Sequence, residues 1–143
     1  MNQIQSRPPN YEKILAVLPG ASRPGVIFAY APDVYVPSGK PLPPELVAHE
    51  AAHIARQEEF GVEIWWDRYL AEPKFRYAEE LIAHACEYSH LIENNPTRNV
   101  RRTALKHVAK RLASDLYSGG VTTEKAAKDI QGMYDYMKGE LAA

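Results

Sequence analysis

Cysteine is nearly missing from the chain: Cys86 stands alone among 143 residues, so no internal disulfide can form. A solitary thiol fits a reducing compartment. Long apolar runs are missing too, and nothing approaches the length needed to cross a bilayer, so no membrane partner is expected. Neither sign of charge prevails. With 17 Lys and Arg against 18 Asp and Glu, the formal net charge of -1 creates no overall field toward nucleic acid or an acidic surface. The opening MNQIQSRPPN lacks the apolar centre of a signal peptide, so residence in the cytoplasm of the producing cell is expected. A virus-associated protein made inside a host satisfies the same facts.

What is present is an ordinary globular composition, 45% apolar and 24% charged, long enough to bury the core of a single domain over residues 1–143. The polar first ten residues read as a loose arm. YEKILAVL then offers a short helix closed by Pro19 and Gly20. Two β-branched and aromatic runs, Val26 to Tyr30 and Val34 to Val36, read as a strand pair around Ala31, Pro32 and Asp33. A helix starting near Pro43 or Pro44 runs to about Glu58 and is closed by Gly61. Further helices are expected in IWWDRYLAE, in PKFRYAEELIAHACEYSHLIE, from Arg98 to about Leu116, and after the Gly119–Gly120 break with a cap at Thr122 or Thr123. The last two form a C-terminal helical portion, residues 98–143. The expected fold class is mainly α with a small β-sheet, α+β.

Within the helix after Pro44 lies HEAAH, His49 to His53. Residues four apart on a helix are turned by only about 40° from each other, so both imidazoles can reach one point. A tetrahedral zinc wants nitrogen ligands about 2.0 to 2.1 Å away, which this spacing supplies without backbone strain. Glu50 sits on the adjoining flank, available to take a proton from an activated water and return it to a leaving amine. The pattern is short enough to arise by composition, so its surroundings must carry weight. Val47, Ala51 and Ile54 form an apolar stripe opposite the histidines, which predicts a buried back and a functional front. The preceding strand pair has an edge on which an extended peptide could lie. Downstream ligands are plentiful: Asp67, Glu72, Glu79, Glu80, His84, Glu87 and His90.

HEAAH, followed after twenty-six intervening residues by Glu80 in ELIAH, resembles the gluzincin zinc metallopeptidases. The wider segment also resembles small zincin-like HExxH proteins encoded by bacteriophages, through Tyr69 in the W..RYL block and the Phe75–Arg76 pair. The likeness covers about Gly25 to Glu93. It implies a compact zincin-like domain that binds Zn2+ through His49, His53 and Glu80, with Glu50 as catalytic acid and base and a peptide or protein as substrate. Glu80 is preferred to Glu79 because Ala83 and His84 follow it in the family's pattern of a small and then a polar residue. The chain has no room for the C-terminal domain that supplies a transition-state histidine in thermolysin-like enzymes. That leaves Tyr69, Arg76, Tyr77 and His84 as candidates for supporting the ligands or stabilising an oxyanion. Metzincins are disfavoured, since Ile-Ala-Arg follows His53 where a glycine and a third histidine would be required.

Other features have plainer readings. Trp65 and Trp66 read as core aromatics with one ring partly exposed. Cys86 reads as a free buried thiol, and His90 and His107 as structural or exposed. Arg98, Arg102, Lys106 and Lys110, spaced by four, could track phosphates, but a solvated helix face is the better reading and nucleic acid is not expected as a partner. The main alternative to a peptidase is a zincin-fold structural protein of little activity, such as a component of a virus particle.

Overall fold

Prolines, glycines and threonines set most of the element boundaries. The computed structural model describes residues 1–117 and 120–142. In chain order these give β1 (Gln3–Ile4), α1 (Tyr11–Val17), a 3-10 turn (Pro19–Ser22), β2 (Phe28–Tyr30) and β3 (Asp33–Tyr35). There follow α2 (Pro44–Phe60), α3 (Val62–Ala71), α4 (Pro73–Glu93), α5 (Arg98–Leu112), a second 3-10 turn (Asp115–Tyr117) and α6 (Thr123–Ala142). The expected mainly helical fold with a small sheet is what forms. Helices α2 and α4 each open on a proline, whose missing N–H has no partner to lose in a first turn. Gly61 adopts φ 91°, a value strained for any side chain, and so lets α3 start directly after α2. Thr97 caps α5 by accepting from the Val100 amide at 3.3 Å, and Thr122 caps α6 by accepting from Lys125 at 3.1 Å. Gly119 of the expected glycine break lies outside the described residues.

The sheet has the order β1-β3-β2, with β1 parallel and β2 antiparallel to β3. The hairpin is as expected, but the loose N-terminal arm is not. Gln3 and Ile4 lie opposite Val34 and Tyr35, and the Val34 and Val36 amides donate to the Asn2 and Ile4 carbonyls at 3.0 and 2.8 Å. A strand this short is held by backbone bonds and needs no apolar alternation, so its composition does not announce it.

Two apolar clusters hold the helices. One joins Ile14, Leu18 and Phe28 to Trp65, Trp66 and Tyr69. The other joins Tyr88 and Ile92 of α4 to Val108 and Leu112 of α5 and Ala126 and Ile130 of α6. Both tryptophans are buried, so neither ring is the partly exposed one expected.

The interface between α2 and α4 belongs to neither cluster. It buries His49, Glu50, His53 and Gln57 from α2, and Arg76, Glu79, Glu80, His84 and Glu87 from α4. This reverses the expected sidedness of α2: Val47 is 39% exposed and Ala51 is exposed, while only Ile54 of the apolar stripe is buried. The polar face is the inner one because most of its buried groups find partners: Glu87 and Glu79 meet His49 and Arg56 across the interface, and Gln57 and Arg76 meet main-chain groups of neighbouring elements, which lowers the usual penalty for burying them.

Candidate metal centre

Positions 49, 50, 53 and 57 fall on one side of α2, and 76, 79, 80, 84 and 87 on one side of α4, so the two helices bring their polar stripes face to face. At the crossing, His49 Nε2 lies 3.5 Å from Glu80 Oε1 and His53 Nε2 lies 3.2 Å from Glu80 Oε2. A tetrahedron with ligand bonds of about 2.0 to 2.1 Å has edges of about 3.3 to 3.4 Å. His49, His53 and Glu80 are therefore close enough to hold one metal ion. The donor set fits such an ion, and Glu80 Oε1 is buried with no hydrogen-bond partner, as an oxygen waiting for a cation would be.

Two of the three candidate ligands, His49 and Glu80, are braced from behind. His49 Nδ1 lies 2.9 Å from Glu87 Oε1, and Arg111 of α5 grips the other oxygen of Glu87. A carboxylate on the far nitrogen of a metal-binding histidine fixes its ring orientation and raises its basicity. Glu80 accepts from the Tyr69 hydroxyl at 2.6 Å. The neighbouring Glu79 is turned away, accepting from Arg56 at 3.0 and 2.9 Å and from Trp65 Nε1 at 2.7 Å. That division answers the question the sequence left between two adjacent glutamates: Glu80 faces the histidines.

A second trio, His49, His84 and Glu87, also converges. Both Glu87 oxygens are already engaged by His49 and Arg111, so this trio serves as the brace of His49. His84 is fully buried and its Nδ1 donates to the Glu80 carbonyl at 2.7 Å, leaving Nε2 as an unpartnered acceptor. A carbonyl can only accept, which fixes this tautomer.

The electrostatics describe a pocket built around positive charge. Burial alone would depress His49, but the close approach of the Glu80 carboxylate, the hydrogen bond to Glu87 and the charges of Glu50 and Glu80 outweigh burial and raise it to about 10. Burial likewise opposes ionisation of Glu80, yet His53 and His49 hold its pKa well below the usual carboxylate range. Glu87 is lowered in the same way, against burial, by His49 and Arg111. Burial pushes Glu50 upward against the pull of His49 and His53. Burial and the charge on His49 lower His84 to about 3, so it stays neutral.

The cluster opens into a cavity of about 860 Å³. Ile14, Leu18, Phe28 and Trp66 line its apolar side, while His107, Lys110 and Arg111 arrive from α5 and Tyr117 from the second 3-10 turn. Glu50 faces this space beside His49, with 4.0 Å between Glu50 Oε1 and His49 Nε2.

The other expected site residues are dispersed. Buried Arg76 donates to the Tyr69 carbonyl at 2.6 Å and the Tyr117 carbonyl at 3.3 Å, so it ties α3 to the second 3-10 turn instead of supporting a candidate ligand. Tyr77 donates to Asp129 of α6 at 2.6 Å, on the side of α4 that faces the C-terminal cluster. Of the four supporting candidates only Tyr69 and His84 touch Glu80. Cys86 is half-buried, and burial pushes its thiol upward, which keeps it protonated and inert.

Sequence reasoning missed three residues, Gln57, Arg111 and Tyr117, and the bracing role of a fourth. Glu87 was readable as a ligand candidate, and its place seven after Glu80 puts it on the same helix face, which was the available signal. Gln57 continues the stripe of His49 and His53. Fully buried, it donates to the Ala29 carbonyl at 2.9 Å and accepts from the Ala31 amide at 2.7 Å, as a neighbouring strand would. Trp66 Nε1 also donates to the Ala29 carbonyl, at 3.2 Å, so the β2 edge at Ala29 is taken by side chains and is not open to a peptide. Arg111 and Tyr117 carried no local signal. The chain matches no protein-family model, no curated protein and no solved structure.

Proposed function

We propose that the chain is a zinc-dependent metallopeptidase. One observation carries the reading: two imidazole nitrogens and a braced carboxylate stand 3.2 and 3.5 Å apart, at the floor of an open cavity that also receives Glu50. His49, His53 and Glu80 would hold the ion. Bound there, zinc supplies Lewis acidity, bringing the pKa of a water toward about 7 and polarising a carbonyl. Glu50 accepts the proton of the attacking water and then delivers it to the departing amine. Its burial favours this double duty by bringing its proton affinity nearer to neutrality.

A donor for the developing oxyanion is found by elimination. Tyr69 donates to Glu80, Arg76 to main-chain carbonyls, Tyr77 to Asp129 and His84 to the Glu80 carbonyl. Tyr117 lines the cavity, and its hydroxyl makes no hydrogen bond among the described residues. Burial, followed by the charge of Glu80, raises its phenol well above the usual value despite Arg111, which keeps the O–H available as a donor.

The reading is tested by metal analysis together with hydrolysis of an unstructured protein by wild type and Glu50→Gln. Zinc at one equivalent in both proteins is expected, with turnover lowered about 100- to 10,000-fold in the variant. Metal held by both proteins without turnover of varied substrates by either would return the structural, virus-particle alternative.

A further inference from the structure

Helix α5 concentrates the chain's positive charge. Its fifteen residues hold Arg98, Arg101, Arg102, Lys106, Lys110 and Arg111 and no Asp or Glu, so the remaining residues carry -7 against -1 for the whole. Arg111 is committed to Glu87 and Arg101 donates to the Pro96 carbonyl at 2.8 Å. Arg98, Arg102, Lys106 and Lys110 are exposed and make no ion pair among the described residues.

Helix stability does not explain this series. Like charges four apart repel, and Arg98–Arg102, Arg102–Lys106 and Lys106–Lys110 are three such pairs. The first turn contains Arg98 and Arg101 and no acidic residue, although cations there oppose the helix dipole. Only Lys110 and Arg111, in the last turn, suit it. A helix carrying an unfavourable charge pattern on its solvent side is suited to an external anion.

That anion would be met at the cavity. Lys110 ends the row and lines the cavity with His107, across from the apolar Ile14, Leu18, Phe28 and Trp66. Apart from Glu50, Glu80 and Glu87 at the candidate metal centre, Glu45 is the one carboxylate in the lining among the described residues. Successive cations in the row rise by about 6 Å with a turn of about 40°. An extended peptide advances about 6.6 Å in two residues. Alternate acidic side chains of such a peptide therefore keep step with Lys110, Lys106 and Arg102.

We infer that α5 is a docking rail for an acidic polypeptide substrate, resting on the peptidase reading above. An apolar side chain enters the Ile14, Leu18, Phe28 and Trp66 recess on one side of the scissile bond. Asp or Glu residues at alternate positions on the other side lie along Lys110, Lys106 and Arg102. Nucleic acid fits the same row less well. Helix α5 has no Phe, Tyr or Trp for base stacking, its one ring being His107 at the cavity, and the apolar recess of Ile14, Leu18, Phe28 and Trp66 suits a side chain better than a phosphate.

The test uses zinc-loaded full-length Glu50→Gln, so that a bound peptide stays intact, and two fluorescein-labelled peptides. One has a single Leu followed by three Glu at alternate positions; the other has Gln in their place. Anisotropy titration should show the Glu peptide binding at least tenfold tighter, with an affinity that falls as salt rises. Adding Arg102→Glu and Lys106→Glu, both outside the cavity, should abolish the preference, with Arg102→Gln and Lys106→Gln as a second pair should the reversal unfold the helix. Equal affinity for the two peptides, or tighter binding of a single-stranded oligodeoxynucleotide of the same charge, overturns the rail. Turnover by the wild type separates this from the parent reading. Equal kcat/KM on both peptides removes the rail and leaves the peptidase, whereas preferential binding of the Glu peptide with no turnover of either leaves the rail and removes the peptidase.

Discussion

Helix α4 has two sets of neighbours, and they ask opposite things of it. Toward α5 and α6 it buries Tyr88 and Ile92 against Val108, Leu112, Ala126 and Ile130, an apolar contact stabilised by removing area from water at about 25 cal/mol per Å². Toward α2 it buries Glu79, Glu80, His84 and Glu87, where every group left without a partner costs about 1 to 3 kcal/mol. The first interface tolerates small shifts because dispersion and hydrophobic contact are non-directional. The second does not, since its braces are directional and linked in series from Arg111 through Glu87 to His49. One helix thus joins a region that holds the fold to a region whose side chains lie close enough to hold a cation.

The contrast can be broken most severely from the apolar side. Ile130→Ala, at a fully buried position, should lower the unfolding free energy by about 2 to 5 kcal/mol in urea titration while leaving metal affinity under native conditions unchanged. A parallel fall in affinity would show that the two regions are not separable. From the polar side, Glu87→Gln should weaken metal binding about 10- to 100-fold in competition with a chromophoric chelator. Unchanged affinity would reduce Glu87 to a mere partner of Arg111.

Proton linkage sharpens the same comparison. His49 is raised from 6.5 to about 10 in the metal-free chain, so metal uptake near pH 7.5 should release about one proton, seen as a buffer-dependent heat in calorimetry. The raised pKa stabilises the metal-free fold fully below 6.5, and that contribution disappears as pH rises through about 10. His84, lowered to about 3, acts in reverse: its contribution is complete above 6.5 and is lost as pH falls toward 3. The metal-free protein should therefore be most resistant to urea near pH 6.5, and a monotonic rise from pH 6 to 10 would contradict the paired-charge description. The smallest effect is expected at Val47→Gln on the exposed face of α2, within about 0.5 kcal/mol of wild type. A larger loss would mean that the apolar stripe is buried after all in solution.

Local signals made the helices, the hairpin and the pairing of His49 with His53 legible, because helical period and proline or glycine punctuation act over a few residues. Glu80, by contrast, was singled out among seven candidates by the family resemblance. The orientation of α2 was not legible. An apolar stripe normally marks the inner face, and here the paired stripe on α4 made the polar face the better one to bury. Gln57, Arg111 and Tyr117 were invisible for another reason: their partners are 28, 24 and 41 residues away, at Ala29, Glu87 and Arg76. The two-residue strand β1 was hidden because hydrogen bonds to distant residues, at Asp33, Val34, Val36 and Lys40, hold it in place of an apolar pattern.

The Gln57 carboxamide on β2 has one more consequence. With the Ala29 carbonyl already taken, a ligand cannot be recognised there by lengthening the sheet, and selectivity falls to exchangeable surface groups. Outward side chains can be exchanged without disturbing the scaffold or the His49, His53 and Glu80 cluster.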